Sequence, residues 1–463
     1  MNKFIKTFIG DKEFYRKTLL IVVPIIIQNA IINFVNLLDN IMVGQIGTDQ
    51  MNGVSIVNQL MFVFNLCVFG AVSGAGIFTT QYFGKGDTEG VRNTFRAKIL
   101  LLLIVLVASM SIFIFGGDML IMQFLHETDG IGNAGATLAA GHSYLEIMLI
   151  GIPVFAMAQC YSNTLRDTGE TVIPMIGAVI SVAINLIFNY ILIFGHFGAP
   201  ALGVDGAAIA TVMSRFVELF VVAIWTHMHP NKNPFIVGAY KTLAIPGNLL
   251  KQIIYKGAPL ALNEAMWALG ITMLNQCYSL RGLAVVAALN ITATIANLFN
   301  VFFISLGDAI SIIVGQLLGA NKMDEARDTD TKLIALGIMS CLFIGSVMAV
   351  LRNAFPAIYN TEAEVKSLAA ILIMVQAIMM PFNSIMHSSY FTIRTGGQTF
   401  ITFLFDSCFV WALSVPTAFV LTHYTSLNII AVYCSVCAVD LIKVVIGLTL
   451  VKKGVWLRNI VNS

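Results

Sequence analysis

The chain has 463 residues, of which 58% are apolar and 11% are Asp, Glu, Lys or Arg, with a formal net charge of +2. Soluble domains carry about 25% charged residues. A mean hydropathy of +0.85 therefore excludes a cytosolic enzyme, a nucleic-acid binder and a disordered scaffold, and so small a net charge selects no anionic partner.

A helix needs roughly 20 mostly apolar residues, at about 1.5 Å each, to cross a hydrocarbon core about 30 Å thick. Twelve such runs follow in chain order, centred on 18–43, 53–82, 98–115, 139–161, 173–195, 207–227, 257–280, 285–315, 333–351, 367–391, 400–421 and 428–450. The runs are continuous rather than alternating, which excludes barrel strands. The third and ninth are short. The reading is an all-α membrane protein.

Ahead of the first run, MNKFIKTFIGDKEFYRK has no apolar stretch followed by a small-residue cleavage site, so it reads as a tail and not a removable signal. Phe4, Ile5, Phe8 and Ile9 could form the apolar face of a short surface helix; a frayed basic tail is the alternative. With the N-terminus inside, 21 of the 26 Lys and Arg residues fall on the inner side, and only Arg281, Arg352 and Lys366 fall outside. That asymmetry places both termini in the cytoplasm. All seven cysteines lie in apolar stretches without zinc-like spacing, and read as buried, inert thiols.

The two halves repeat. At a shift of 235 residues Pro24 meets Pro259, Asn40 meets Asn275, Gly47 meets Gly282 and Asn65 meets Asn300, and QYFGKGDTEGVR (81–92) meets QLLGANKMDEAR (316–327). At a shift of 228, Pro153 meets Pro381 and LRDTGET (165–171) meets IRTGGQT (393–399). Each half has six runs, an even number, so the repeat is parallel, as in transporters whose halves rock about a central site. The expected organisation is a cytoplasmic tail (1–17), an N-lobe (18–227), an inner linker (228–256), a C-lobe (257–450) and a second cytoplasmic tail (451–463). The two recurrent inner turns read as structural hairpins or as inner gating contacts.

Ionisable side chains inside a span are costly and point to function. They are Asp39, Glu146, Arg215, Glu218, Glu264, Asp308, Asp406, Asp440 and Lys443. The i, i+3 spacing of Arg215 with Glu218 and of Asp440 with Lys443 reads as two local ion pairs. Glu146 lies near the outer end of its span, and Asp308 and Asp406 have no sequence-local partner. Asp39 follows Pro24, which can bend the first helix. Asn185 and Asn189 lie one turn apart on the fifth span, and the sixth adds Thr211. A carboxylate, two amides and a hydroxyl suit a small alkali cation or a proton; polar residues joining helices would give the same list. Glu264, five residues after Pro259, matches Asn29 in the repeat, while Asp39 matches Leu274, so the halves differ in chemistry.

These features together resemble the multidrug and toxic compound extrusion (MATE) family over nearly the whole chain. They are Pro24 with Asp39, GAGIFTTQYFGKGD (74–87), LRDTGET (165–171), INLIFNYILIFG (184–195), LGVDGAAIAT (202–211) and VGQLLGANK (314–322). The resemblance implies two six-helix lobes in a V around a central cavity. It also implies alternating-access export of lipophilic, cationic small molecules across a bacterial cytoplasmic membrane, in exchange for H⁺ or Na⁺ and without a cofactor or nucleic acid, by a monomer. Asp39, Asn185, Asn189 and Thr211 match the family's N-lobe cation site, which would hold Na⁺ on Asp39 in a Na⁺-coupled protein. Asn at 189 and Glu264 match the NorM-like branch. That branch's acidic residue in the tenth span falls on Asn383, which shifts weight from a C-lobe site to Asp39.

Two other readings compete. A flippase for lipid-linked oligosaccharides shares this kind of fold, but would need unpaired basic residues in its spans to meet pyrophosphate. A membrane-embedded prenyltransferase would use DEARDTD (324–330) as an Mg²⁺ loop; a solvated inner loop is the expected structure there. GAVSGAG (70–76) lies in an apolar run with no strand before it, and so is not a nucleotide loop.

Overall fold

Among the described residues, twelve long helices follow the twelve apolar runs. In the computed structural model, residues 7–123, 133–359 and 361–462 are described, without the side chains of 36, 37, 40, 41 and 48. The helices are α1 (Lys12–Gly44), α2 (Thr48–Lys85), α3 (Thr88–Met122), α4 (Ala134–Asp167), α5 (Val172–Phe194), α6 (Val204–Met228), α7 (Gly247–Ser279), α8 (Leu283–Gly319), α9 (Met323–Val350), α10 (Ala363–Thr395), α11 (Thr399–Tyr424, with π-helical turns at Leu404–Cys408 and Val410–Ser414) and α12 (Ile429–Lys453). Among the described residues, eleven are long and apolar enough to cross a membrane. The twelfth, α7, is 33 residues long but carries Asn263, Glu264, Asn275 and Gln276. The chain is a multi-pass membrane protein. Phe4 and Ile5 of the suggested surface helix lie outside the described residues.

Several local expectations need correction. The third and ninth helices are not short, at 35 and 28 residues. Their polar first turns count as helix because the fold gives those side chains partners. In α3, Lys98 donates to Asp167 Oδ2 at 2.6 Å and to Thr164 Oγ1 at 3.1 Å, and Arg96 donates to the carbonyls of Ala239 and Gly238. Likewise 324–330 is no loop but the start of α9, where Asp330 is buried and accepts a hydrogen bond from Thr392 Oγ1 at 2.6 Å. A carboxylate sequestered in this way is not a solvent-facing Mg²⁺ ligand. Three of the cysteines are buried, but Cys67 and Cys434 are exposed, because an apolar helix in a membrane protein can turn one face outward.

The repeat is visible in the backbone. Gly86 and Asn321, 235 residues apart, both turn the chain in the left-handed region, at φ +78° and +61°. Gly169 and Gly397, 228 apart, do so at +89° and +74°. Asparagine tolerates this region better than other non-glycine residues, which lets it replace glycine in the second copy. Pro24 and Pro259 lie inside α1 and α7, and Pro153 and Pro381 inside α4 and α10.

The chain forms two compact units whose borders cut across helices α1, α2 and α7. One takes the segment ending at Ile26, Thr80–Asp87 and Ile254–Ser463; the other takes Ile27–Thr79 and Thr88–Ile253. We call them the C-terminal and N-terminal units. In the C-terminal unit, Val22 of α1 joins a core of Leu306, Ile310, Val314 and Leu318 from α8, Leu333 from α9 and Trp456. Two residues after Pro24, α1 passes from one unit into the other. In the N-terminal unit, Phe95 packs on Tyr161, Phe235 and Tyr240, which ties the segment after α6 to α3 and α4.

Candidate functional site

A short connection sets α5 against α6. Gly195 caps α5 at φ +74°, and Leu202 N–H donates back to the Leu192 carbonyl at 2.8 Å. Gly206 then lies so close that a Cβ there would sit 2.6 Å from the same carbonyl. The helices can run this near each other only because position 206 has no side chain, and their polar faces meet as a result.

Along that seam runs a row of hydrogen bonds in the N-terminal unit. Asn189 Nδ2 donates to Asp39 Oδ1 at 2.7 Å and to Asn185 Oδ1 at 3.2 Å. Asn185 Nδ2 donates to Thr211 Oγ1 at 3.3 Å. Both asparagines are buried, and Asp39 is half-buried. The four side chains singled out in the N-terminal half therefore meet, from α1, α5 and α6. The sequence reading missed Tyr144 on α4, which is buried with its hydroxyl beside Thr211 and close to Asp39. A tyrosine among apolar residues needs a partner for its hydroxyl, and that was the available signal. Arg215 is a cation whose charge acts on Asp39. Its guanidinium lies 4.5 Å from the centre of the Phe155 ring and 3.6 Å from Glu218.

Glu264, Asn383 and Pro24 belong to the C-terminal unit. Glu264 lies beside the Asn263 amide and the Tyr390 hydroxyl, with Arg394 as the neighbouring cation. Asn383 is partly buried, and its carbonyl lies 3.0 Å from His387 Nδ1. Among the described residues no hydrogen bond joins it to Glu264. Pro24 is buried within α1.

The expected Asp440–Lys443 pair is a correction. Lys443 Nζ donates to Asp406 Oδ1 on α11 at 2.7 Å, and Asp440 accepts from Ser414 Oγ at 3.0 Å. Asp406 also accepts from Asn263 Nδ2 at 3.1 Å, so the cross-helix carboxylate is the better-satisfied partner for a buried ammonium. Glu146 bridges to His142 Nε2 at 3.2 Å on an exposed face, and Asp308 is half-buried on α8.

Comparison with known proteins gives this arrangement a context. The MatE family model matches residues 24–191 and 259–420, one match in each half of the chain. The chain is 26% identical over 429 residues to the probable multidrug resistance protein YoeA of Bacillus subtilis, covering 90% of this chain and 89% of that protein. It is 22% identical over 453 residues to the probable multidrug resistance protein NorM of Thermotoga maritima, covering 97% and 94%. A solved outward-facing conformation of a multidrug resistance MATE family transporter superposes with a TM-score of 0.86 at 18% identity, covering 98% of both chains. A crystal structure of MATE in the straight conformation gives 0.85 at 18% identity, again covering 98% of both.

Proposed function

The chain belongs to the MatE family, membrane transporters and not enzymes, and from that premise we propose a cation-coupled antiporter that exports lipophilic, cationic small molecules. It works by alternating access in a bacterial cytoplasmic membrane, as a monomer with both termini inside and without a cofactor. The relatives' names support the drug class: YoeA, NorM and MdtK are all described as multidrug resistance proteins.

The observation that carries the coupling is the row from Asp39 through Asn189 and Asn185 to Thr211. With Asp39 ionised, Asn189 turns its amide nitrogen to the carboxylate. A proton on Asp39 removes its charge and leaves one O–H beside one carbonyl oxygen, so the charge-assisted bond from the amide nitrogen is weakened. Sodium asks for oxygens, and so draws on the amide carbonyls and the Thr211 hydroxyl. Either ion therefore weakens the bond from Asn189 to Asp39, and with it the row linking α1 to α5 and α6. Loading then favours one packing of α1, and the differential affinity of the two packings is the coupling. Pro24 removes one backbone hydrogen bond from α1 and gives the helix a place to bend. Glu264 and Asn383 would tune substrate or proton binding in the C-lobe. The flippase reading is less well supported, because Arg215 and Lys443 are already engaged by Glu218 and Asp406.

The test is efflux of a cationic dye from proteoliposomes under separately imposed Na⁺ and pH gradients. The wild-type chain is expected to respond to one of the two and Asp39→Asn to neither. Full coupled efflux by Asp39→Asn would refute the assignment.

A further inference from the structure

The C-terminal unit contains a second set of hard oxygen donors, built like the first. Asp406 supplies a carboxylate, Asn263 an amide and Ser407 a hydroxyl. Ser407 Oγ donates to Asn263 Oδ1 at 2.7 Å, and Asn263 Nδ2 donates to Asp406 Oδ2 at 3.1 Å. The inventory repeats that of Asp39, Asn189 and Thr211: carboxylate, amide, hydroxyl. Asn263 and Ser407 are buried, and the π-helical turn at Leu404–Cys408 carries both Asp406 and Ser407. Such turns recur at functional sites in helices.

One feature distinguishes the two sets. In the second, an ammonium is already in place, with Lys443 Nζ 2.7 Å from Asp406 Oδ1. That nitrogen also faces the rings of Phe405 and Phe409, at 5.6 Å and 5.7 Å from their centres. Lys443 is only 7% exposed, and aromatic faces stabilise a desolvated cation. A buried ion pair is seldom worth more than an apolar replacement of similar shape. Burying a full positive charge between a carboxylate and two rings is therefore a costly way merely to join α11 to α12.

We infer that Lys443 is a tethered cation: its ammonium fills on Asp406 the place of a free alkali cation, and so closes that site to Na⁺. Asp406 is then permanently loaded and takes up no Na⁺ of its own. Any ion exchanged for substrate must load elsewhere, which on the reading above is Asp39. The inference rests on that reading only for this last step, since occupancy of Asp406 can be measured by itself.

Equilibrium binding of ²²Na⁺ to the purified full-length chain, at a pH where carboxylates are ionised, is the experiment. Lys443→Gln is expected to bind one more Na⁺ per chain than the wild type, and its melting temperature to rise with Na⁺ but not with choline. Asp406→Asn combined with Lys443→Gln should lose that extra ion, and Lys443→Arg should never gain it. A folded Lys443→Gln chain with the wild-type Na⁺ stoichiometry overturns the inference. So does a Lys443→Gln chain that cannot be purified even in high Na⁺ while the uncharged double variant can. Asp39→Asn, compared with the wild type, reports separately on the N-terminal site, so failure at one site is not mistaken for failure at the other.

Discussion

Gly84 and Gly319 occupy equivalent places 235 residues apart, and each lies against the backbone of the other's helix. A Cβ at Gly84 would overlap the Gln316 carbonyl, and one at Gly319 would overlap the Gln81 carbonyl. The ends of α2 and α8 thus cross reciprocally, through the one residue type that permits the approach. Overpacking costs about 1–3 kcal/mol where neighbours can shift, and backbone shifts less readily than side chains. Gly84→Leu and Gly319→Leu are each expected to lower the melting temperature in detergent and to abolish dye efflux. The two effects should be similar in size, because the contacts mirror each other. Wild-type behaviour of either variant would rule out the crossing.

Gln81, at this crossing, holds the C-terminal segment. Its Oε1 accepts from Ile460 N–H at 2.8 Å, and its Nε2 donates to the carbonyls of Thr395 and Arg458 at 3.1 Å and 3.2 Å. Lys85 Nζ adds a bond to the Val461 carbonyl at 3.3 Å. Each buried group left unsatisfied costs about 1–3 kcal/mol. Gln81→Leu, close in size but without polar atoms, should free residues 457–462 and expose them to carboxypeptidase at least tenfold faster than in the wild type. Equal digestion rates would show that these bonds do not anchor the segment.

The helices and the repeat were legible because they depend on residues close in sequence. Apolar run length set the spans, and Gly86 with Asn321 marks equivalent turns in the two copies. Asn185 and Asn189 were legible as a pair by helical spacing, whereas their contact with Asp39 required the α5–α6 approach at Gly206. Partner choice across helices was not legible. Lys443 has Asp440 on its own helix but donates to Asp406, 37 residues back, because Asn263 already orients that carboxylate. Asp330 looked like loop material since its neighbours are charged; its burial depends on Thr392, which only the packing of α9 on α10 brings near. The borders of the two compact units, within α1, α2 and α7, had no compositional mark at all.

Lys98 and Asp167 join α3 to α4 through a buried bond of 2.6 Å, with Lys98 fully enclosed. Removing one partner of a buried pair costs about 3–5 kcal/mol, while removing both can be nearly neutral. Lys98→Met should therefore destabilise strongly, and Lys98→Met with Asp167→Asn should recover most of the loss. Thermal melts of the two single variants and the double variant measure the coupling. Additive losses would mean that the bond contributes little.

Within the Asp39 row the asparagines and the threonine have unequal duties. Asn189 donates both to the carboxylate and to Asn185, so Asn189→Leu removes the bond that ties Asp39 to α5 through this side chain. A hydrogen bond to a charged group is worth about 1.5–3 kcal/mol, which predicts a loss of ion-driven efflux of roughly ten- to a hundredfold. Thr211 accepts from Asn185 at the far end, beside the Tyr144 hydroxyl, in neutral bonds worth about 0.5–1.5 kcal/mol each. Thr211→Val should accordingly slow efflux by about two- to tenfold while leaving Asn189 on Asp39. Initial rates in proteoliposomes, normalised to the amount of folded protein, measure both. If Thr211→Val proved the more damaging, the hydroxyl and not the carboxylate would be the centre of the site, and the ion would have to be held by α6 rather than α1.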